Sequence, residues 1–303
     1  MHIVLPGALP DPEVAGELAP HLTQHAPTLA WWFLYATAQL TSSPVAETWC
    51  TPLEHWLLQA RGFQPAQGEH VSAGLGPLRA RTSGDESVWL AELVHMAPSR
   101  DGAALLPADR LDITEEQSAA LLGSARELAA ESGIELDPDS TTTWRVRSPA
   151  LAGIGCASPA LVASSAVNDW WPQDAAARPW RRLVNTLQMA WFEHPVNLQR
   201  AQAGLAPINS LWLYGGARAS QLTRPLPADS VIEPALLDAA TRQDWGGWIQ
   251  ALDQLEETCF APSARTAPIL VLTGRDRFIT LTVPAHWWMR LKPRDWRRWW
   301  CNR

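Results

Sequence analysis

The sequence predicts a mixed protein of strands and helices, with a compact α+β unit at residues 88–147. Three observations predict it. Apolar strand-like runs, HIVL at 2–5, SLWLY at 210–214 and ILVLTGRDRFITLTV at 269–283, alternate with segments whose apolar residues recur at helical spacing. Residues 88–147 hold a separate set of strands around one capped helix. The chain has 303 residues, 47% hydrophobic and 18% charged, enough to bury a sizeable core and too apolar for a disordered chain.

The elements follow in order. HIVL reads as a short buried strand. Residues 13–40 read as helical with a break at Pro27, WWFLYATAQL being the second helix. TPLE at 51–54 is a helix start: Thr51 caps, Pro52 fits the first turn and Glu54 bonds back, with Gly62 as the stop. Residues 64–87 read as loop. VWLAELVHM at 88–96 reads as a strand, and PSRDGAALLP as a turn into another extended piece. Thr114 with Gln117 forms a capping-box pattern opening a helix to about 132, ended by Gly133. IEL at 134–136 and TTWRV at 142–146 read as strands. Residues 148–179, rich in Ala, Ser and Pro, read as a connector. The helix 180–193 puts Leu183, Val184, Leu187, Ala190 and Trp191 on one face and Arg181, Asn185 and Gln188 on the other. Pro195 limits it. SLWLY is closed by Gly215-Gly216, and 217–234 reads as loop. Trp245, Trp248, Ile249, Leu252 and Leu255 mark an amphipathic helix, and 269–283 a hairpin turning at Gly274 to Arg277.

A net charge of −7 argues against general nucleic-acid binding. Cys50, Cys156, Cys259 and Cys301 lie far apart, with no metal spacing, and suit a reducing compartment. No basic region followed by an apolar run opens the chain, and no apolar stretch reaches membrane length, so a cytoplasmic protein without a transmembrane segment is expected. Lys292 is the only lysine among 24 basic residues, and 18 Trp stand against two Tyr.

The stretch 194–215, HPVNLQRAQAGLAPINSLWLYG, gathers Asn197, Arg200, Asn209 and Trp212 around a helix stop and the start of a buried strand. The longer run 184–216 resembles the proteobacterial phosphoglycerate-mutase-like family labelled regulatory protein RpfE. Asn185, Gln188, Met189, His194, Pro195, Val196, Asn197, Arg200, Gly204, Asn209, Ser210, Trp212, Leu213 and Gly215 match its pattern, while Thr186 and Tyr214 depart from it. Residues 89–122 look like a second block of that family, with Glu92 and Leu93 replacing Asp and Pro and with Val94 and His95 matching. TPLE is a third. In order, these span most of 45–285. More distantly, both long blocks resemble archaeal-type cofactor-independent phosphoglycerate mutases of the alkaline phosphatase superfamily. The resemblance implies a reduced alkaline-phosphatase-like α/β fold, a central sheet flanked by helices, with 88–147 as an inserted α+β subdomain between 1–87 and 148–285; the basic, Trp-rich residues 286–303 are read separately as a tail.

Those mutases use two metal ions, a Ser or Thr nucleophile, and Asp and His ligands at strand ends, which hold both ions for phosphoryl transfer. In them the first strand runs into Asp-Gly and a late strand into Gly-Asp-His. Here the first strand runs into LPGALPDP, with Asp11 too late. The late strand reads LTGRDRF, with Arg275 and Asp276 in place of Asp and His. The histidines show no ligand pairing. The expectation is therefore no catalytic residues, no metal and no cofactor. Asn185, Gln188, His194, Asn197, Arg200, Asn209 and Trp212 are candidates to line a cleft for a small phosphorylated or carboxylated ligand. The alternative is that Asn197 caps a short helix, Asn209 ties down the strand start and Arg200 pairs with an acid. His95 reads as a core or edge histidine.

Trp31-Trp32 reads as core filling, while Trp170-Trp171 fits either core filling or a docking surface for a protein partner. The tail HWWMRLKPRDWRRWWCNR sets six basic residues against Asp295, a net of +5, leaving −12 for the rest of a chain of −7. It either folds back on the acidic body or meets an anionic membrane surface. Three functions follow: a non-catalytic regulatory or ligand-binding protein derived from a phosphoglycerate-mutase-like enzyme; a phosphoglycerate or phosphosugar mutase or phosphatase with a reorganised site; or a membrane-surface or partner adaptor.

Overall fold

The computed structural model describes residues 1–80, 85–100, 102–284 and 293–301. In chain order it contains β1 (His2–Pro6), α1 (Pro12–His25), α2 (Pro27–Tyr35), β2 (Thr37–Ser42), α3 (Pro52–Ala60), β3 (Ser87–Ser99), β4 (Gly102–Leu106) and α4 (Glu115–Ala130). Then come β5 (Glu135–Pro138), β6 (Thr143–Arg147), α5 (Arg178–Phe192), α6 (Pro195–Gln202), β7 (Ser210–Arg218), β8 (Ser230–Ile232), α7 (Trp245–Leu255), β9 (Ile269–Thr273) and β10 (Arg277–Thr282). The fold is mixed α/β, with two sheets flanked by helices.

The chain divides into two compact units. The first comprises Met1–Val45, Thr51–Leu57 and Pro225–Arg303; the second comprises Ala46–Cys50 and Leu58–Arg224. The strands and helix of 88–147 lie within the second unit, which also takes 148–224, whereas 225–285 joins the first.

The first unit's sheet has the order β2-β10-β9-β1-β8. β1 runs parallel to β8 and β9, and β10 antiparallel to β9 and β2. One sheet face, with Ile3, Leu5, Leu270, Leu272, Ile279 and Leu281, packs under α1, α2 and α7. The amphipathic reading of α7 holds: Trp248, Leu252 and Leu255 are buried. The helical reading of 37–40 does not. Thr37–Ser42 pairs antiparallel with β10, Leu40 opposite Ile279. Cross-strand pairing overrides the weak helical preference of Ala-Gln-Leu, as tertiary context does for a short segment.

The described part of the tail belongs to the first unit's core. Residues 286–292 and 302–303 lie outside the described residues. Trp296 and Trp300 are buried in the core cluster, Trp299 packs against it, and Phe33 meets Trp296 and Trp299 edge-on at centroid distances of 5.6 and 5.0 Å. The Arg294 N–H donates to Leu34 O at 2.7 Å. The tail's described cations, Arg294, Arg297 and Arg298, are exposed, and Arg298 pairs with Asp295 at 3.4 Å.

The second unit's sheet centres on β3. Its first half lies between β7 and β6, β5 adds outside β6, and its second half pairs with β4, all antiparallel. Thus SLWLY joins this sheet. The strand does not stop at Gly215-Gly216 but continues to Arg218. Gly215, at φ +98°, is required there: a Cβ would stand 2.5 Å from Val88 O. Three other loop readings are corrected. Within 64–87, Val71–Gly74 and Leu75–Arg79 form short helical turns; 217–234 contains β8; and 148–179 holds short helices at Pro159–Ala163 and Val167–Trp170. Pro159 sits in a first turn capped by Ser158, a start signal inside an otherwise low-pattern stretch. The capping box of α4 forms as read, Thr114 accepting from Gln117 N and the Gln117 side chain accepting from Thr114 N.

Residue parity sorts the two faces of β3. Trp89, Ala91 and Leu93 face α4 and α5 in the larger core cluster, while Val88 and Leu90 pack with Leu58, Phe63, Leu75 and Tyr214 in a smaller one. A tail residue gives the direct test of the first unit. Trp300 is fully buried and its indole donates to Ala8 O at 3.1 Å. Trp300→Ala is expected to lower unfolding free energy by about 3–5 kcal/mol in urea titration, a cost typical of emptying a Trp site. A change within 0.5 kcal/mol would refute the packing of the tail described above.

Candidate functional site

The seven sequence-derived residues gather around the α5–α6 junction and the start of β7, and their polar groups are spent mainly on main chain. Asn197 is buried. Its Nδ2 donates to Trp191 O and Ile208 O, and its Oδ1 accepts from Ile208 N, all at 2.8 Å. The side chain therefore clamps the end of α5 to the approach of β7. Arg200, 1% exposed, donates to Ala206 O and Gln117 Oε1 at 2.8 Å and to Leu111 O. Burial pushes its pKa down, opposed by Asp112. Its partners are two carbonyls and an amide, not the acid expected for it. Asn209 extends the sheet with its side chain, accepting from Met96 N at 2.7 Å and donating to Met96 O at 2.8 Å. The buried Trp212 indole donates to Ala157 O at 2.9 Å.

His194 caps α6, its Nδ1 accepting from Val196 N at 3.2 Å. Gln188 is half-buried with its amide 3.6 Å from the Met96 sulfur, and Asn185 is exposed. His95 stands on β3 beside Pro207 and Arg200, its pKa lowered chiefly by burial. Met189 and Phe192, on the outer side of α5, are 72% and 79% exposed.

None of the seven lines the second unit's large cavity, of about 520 Å³. That cavity lies on the β3 face carrying Leu90 and Glu92. Thr143 of β6 stands opposite Glu92, and Tyr214 of β7 opposite Leu90. The β5–β6 turn contributes Asp139, Ser140 and Thr142; the segment after β4 contributes Pro107, Ala108 and Asp109; Arg79, Pro159 and Ala160 complete the described wall.

Its geometry is built around Tyr214, which is 1% exposed. Burial pushes its hydroxyl up to about 12, against the pull of Arg79, and the hydroxyl also bonds Thr143. The Arg79 guanidinium lies over the ring, 5.3 Å from its centre. Glu92 accepts from Ala108 N at 3.1 Å, which fixes the segment after β4 across the cavity. Sequence reading missed this site because its residues come from six separate segments with no shared spacing.

In the first unit, the carboxyl end of the parallel pair β1 and β9 is where an open α/β sheet places its ligand. Here that end is filled. The Trp248 indole donates to Gly7 O at 3.0 Å and the Trp300 indole to Ala8 O, both rings fully buried. A Cβ on Gly7 would stand 2.9 Å from Leu236 O, so the loop after β1 lies tight against the turn before Leu237. Leu9 N donates to Thr273 O at 3.2 Å. Just past β9, Arg275 pairs with Asp11 at 3.1 Å, two groups that sequence reading had noted separately. Among the described residues no three His, Cys, Asp or Glu stand close enough together to hold a metal ion.

No family model and no curated protein matches the chain. Among solved structures, the PH0037 protein from Pyrococcus horikoshii is similar at TM-score 0.50 and 14% identity, covering 98% of this chain and 91% of that one. A cofactor-independent phosphoglycerate mutase from Thermoplasma acidophilum DSM 1728 matches at TM-score 0.33 and 15% identity, over 93% and 88%. The first likeness is one of fold alone, and the second is too loose to carry an argument.

Two outcomes test the structural reading of the α5–α6 junction. Asn197→Ala removes the side-chain partner of the Ile208 carbonyl and N–H, while Trp191 O keeps the His194 N–H, and is expected to destabilise by about 1–3 kcal/mol in chemical denaturation; a loss under 0.5 kcal/mol would refute the clamp. The second is pH. Burial lowers the His194 pKa below its ordinary 6.5, so the folded state favours the neutral ring, whose Nδ1 accepts from Val196 N. The unfolded chain takes the proton first as pH falls, so this contribution is fully present above about pH 6.5 and is lost as pH drops toward the folded-state value. His194→Asn keeps a capping side chain. Its melting temperature is expected to fall less between pH 7 and pH 5 than that of wild type, and an identical fall would overturn the assignment.

Proposed function

We propose that this chain is a non-catalytic ligand-binding or regulatory protein, built on a phosphoglycerate-mutase-like scaffold of alkaline-phosphatase-superfamily ancestry from which the two-metal site has been lost. The observation that carries the reading is the filled carboxyl end of β1 and β9. A two-metal enzyme needs carboxylates and imidazoles projecting there around a hydrated space. In this chain two indoles hold the carbonyls of Gly7 and Ala8, and an arginine–aspartate pair sits just past the strand ends. Seating ions would require both rings to leave a fully buried position.

The regulatory role of the RpfE label is part of this proposal. So is a cytoplasmic location, which the four free cysteines support, two of them buried and none paired. No helix among the described residues is long and apolar enough to cross a membrane. Of the tail's described indoles, Trp296 and Trp300 face the core and Trp299 packs against it, so these lend the adaptor alternative no support.

The test joins metal analysis to one assay. Protein incubated with Mn²⁺ or Zn²⁺ and then dialysed is expected to retain well under one equivalent, and a coupled assay with 3-phosphoglycerate to show no turnover above a protein-free blank. Two retained equivalents together with turnover would replace this reading with that of an active mutase.

A further inference from the structure

We infer that His21 and His25 on α1, with Asp253 of α7 behind His25, form a site for a divalent transition-metal ion of the imidazole-binding class, Ni²⁺, Cu²⁺ or Zn²⁺. All three residues belong to the first unit. The site is separate from the lost two-metal centre. α1 starts just beyond the loop after β1, and both histidines lie about 14–20 Å further along its axis, in its last two turns.

The first ground is spacing. Residues four apart on a helix share one face, one turn above the other, and two imidazoles so placed can take the same ion. The structure brings these rings together, with centres 6.0 Å apart and planes tilted by 31°. Nitrogen–metal bonds of about 2.1 Å let a nitrogen of each ring reach one ion between them. The buried stripe of α1, Ala15, Leu18, Ala19 and Leu22, faces the core, which leaves His21 exposed and His25 half-buried at its margin.

The second ground is the hydrogen bond behind His25, whose Nδ1 lies 2.9 Å from Asp253 Oδ1. A carboxylate only accepts, so Nδ1 carries the proton and the neutral ring presents a bare lone pair at Nε2. A metal-bound histidine is ordinarily held in this way: the acid on its far side fixes tautomer and orientation and makes the ligating nitrogen more basic. His25 is thus the anchored ligand, His21 the exposed one that closes on the ion, and Asp253 a positioning residue. The protein supplies two nitrogens, since no three His, Cys, Asp or Glu among the described residues converge on one ion; water or a ligand from solution takes the other positions.

Electrostatics supplies the third ground. The last turn of α1, which includes His25, is the negative end of the helix dipole, where a cation is favoured. Sequence reading found no ligand pairing among the histidines because the acid that orients His25 stands 228 residues away from it.

Calorimetry of the full chain with Ni²⁺ decides it. Wild type is expected to bind one ion per chain saturably. Its melting temperature should rise with Ni²⁺ concentration, because the ring pair is assembled only on the folded helix. His21→Gln changes an exposed side chain, so it is expected to fold, as circular dichroism would check, and to lose both the saturable binding and the thermal shift. His2→Gln, which removes an imidazole elsewhere in the unit, should change neither. Asp253→Asn keeps both rings and should weaken binding about tenfold. Nitrogen NMR of the His25 ring should show the fixed Nδ1–H tautomer of wild type giving way to a mixture in that variant. No saturable binding by wild type, undiminished binding by His21→Gln, loss of binding in His2→Gln, or unchanged tautomer and affinity in Asp253→Asn would each overturn the inference. An ion held by two ligands leaves on dialysis, so it adds nothing to the retained Mn²⁺ or Zn²⁺ that tests the lost two-metal site, and the two results are read apart.

Discussion

Buried main chain must find hydrogen-bond partners, and in this protein much of that demand is met by side chains on short, irregular segments. Where strands end inside a core, the freed carbonyls cannot reach water, and leaving one unmet costs about 1–3 kcal/mol. The Trp248 and Trp300 indoles meet two such carbonyls after β1, Trp212 meets one at Ala157, and Asn197 meets two at the α5–β7 approach. The same logic extends to side-chain hydroxyls, with Trp144 on Ser118 and Trp191 on Ser124 at 3.0 Å. An indole fills volume and carries one donor, so it can close an apolar core and cap a carbonyl at once. This gives a physical use for these five of the chain's 18 tryptophans. Trp32, whose buried Nε1 has no partner, is an exception, serving by volume alone.

β3 sets the terms for the second unit because it is paired along both edges and presents two unlike faces. Ala91 and Leu93 point to the helices and are fully buried, and between them Glu92 points to the cavity and is only half-buried. A one-residue slip of register would put that carboxylate among Leu121, Ala125 and Leu187, where an unpaired charge is prohibitive. The acid thus serves both as a cavity wall and as a constraint on pairing. Its bond to Ala108 N then fixes the segment after β4, so the cavity wall and the strand register are consequences of the same side chain.

Local signals in the sequence were legible where one segment decides its own structure. The capping box at Thr114, the stop at Gly133, the hairpin after Ile269 and the face of α7 all follow from neighbouring residues. β2 was not legible, because Thr37–Ser42 becomes a strand only by pairing with β10, some 240 residues away. The junction motif was legible as a cluster but not as to purpose. HPVN-x-x-R names residues that converge; only the partners of Asn197 and Arg200 distinguish a ligand cleft from a clamp. The cavity lay beyond reach because β3, β7, β6 with the turn before it, and three other segments each supply one to four residues to it.

Existing partners decide what a buried guanidinium can do. A guanidinium recognises an anion through a fork of free N–H groups. Nε, Nη1 and Nη2 of Arg200 already point at Ala206 O, Gln117 Oε1 and Leu111 O. A phosphate arriving there would have to displace two main-chain carbonyls from their donor, and each would then be left buried and unmet. The exchange loses on energy even before the phosphate is desolvated. In this fold, then, the hydrogen bonds of the sequence's most conspicuous polar motif secure the architecture.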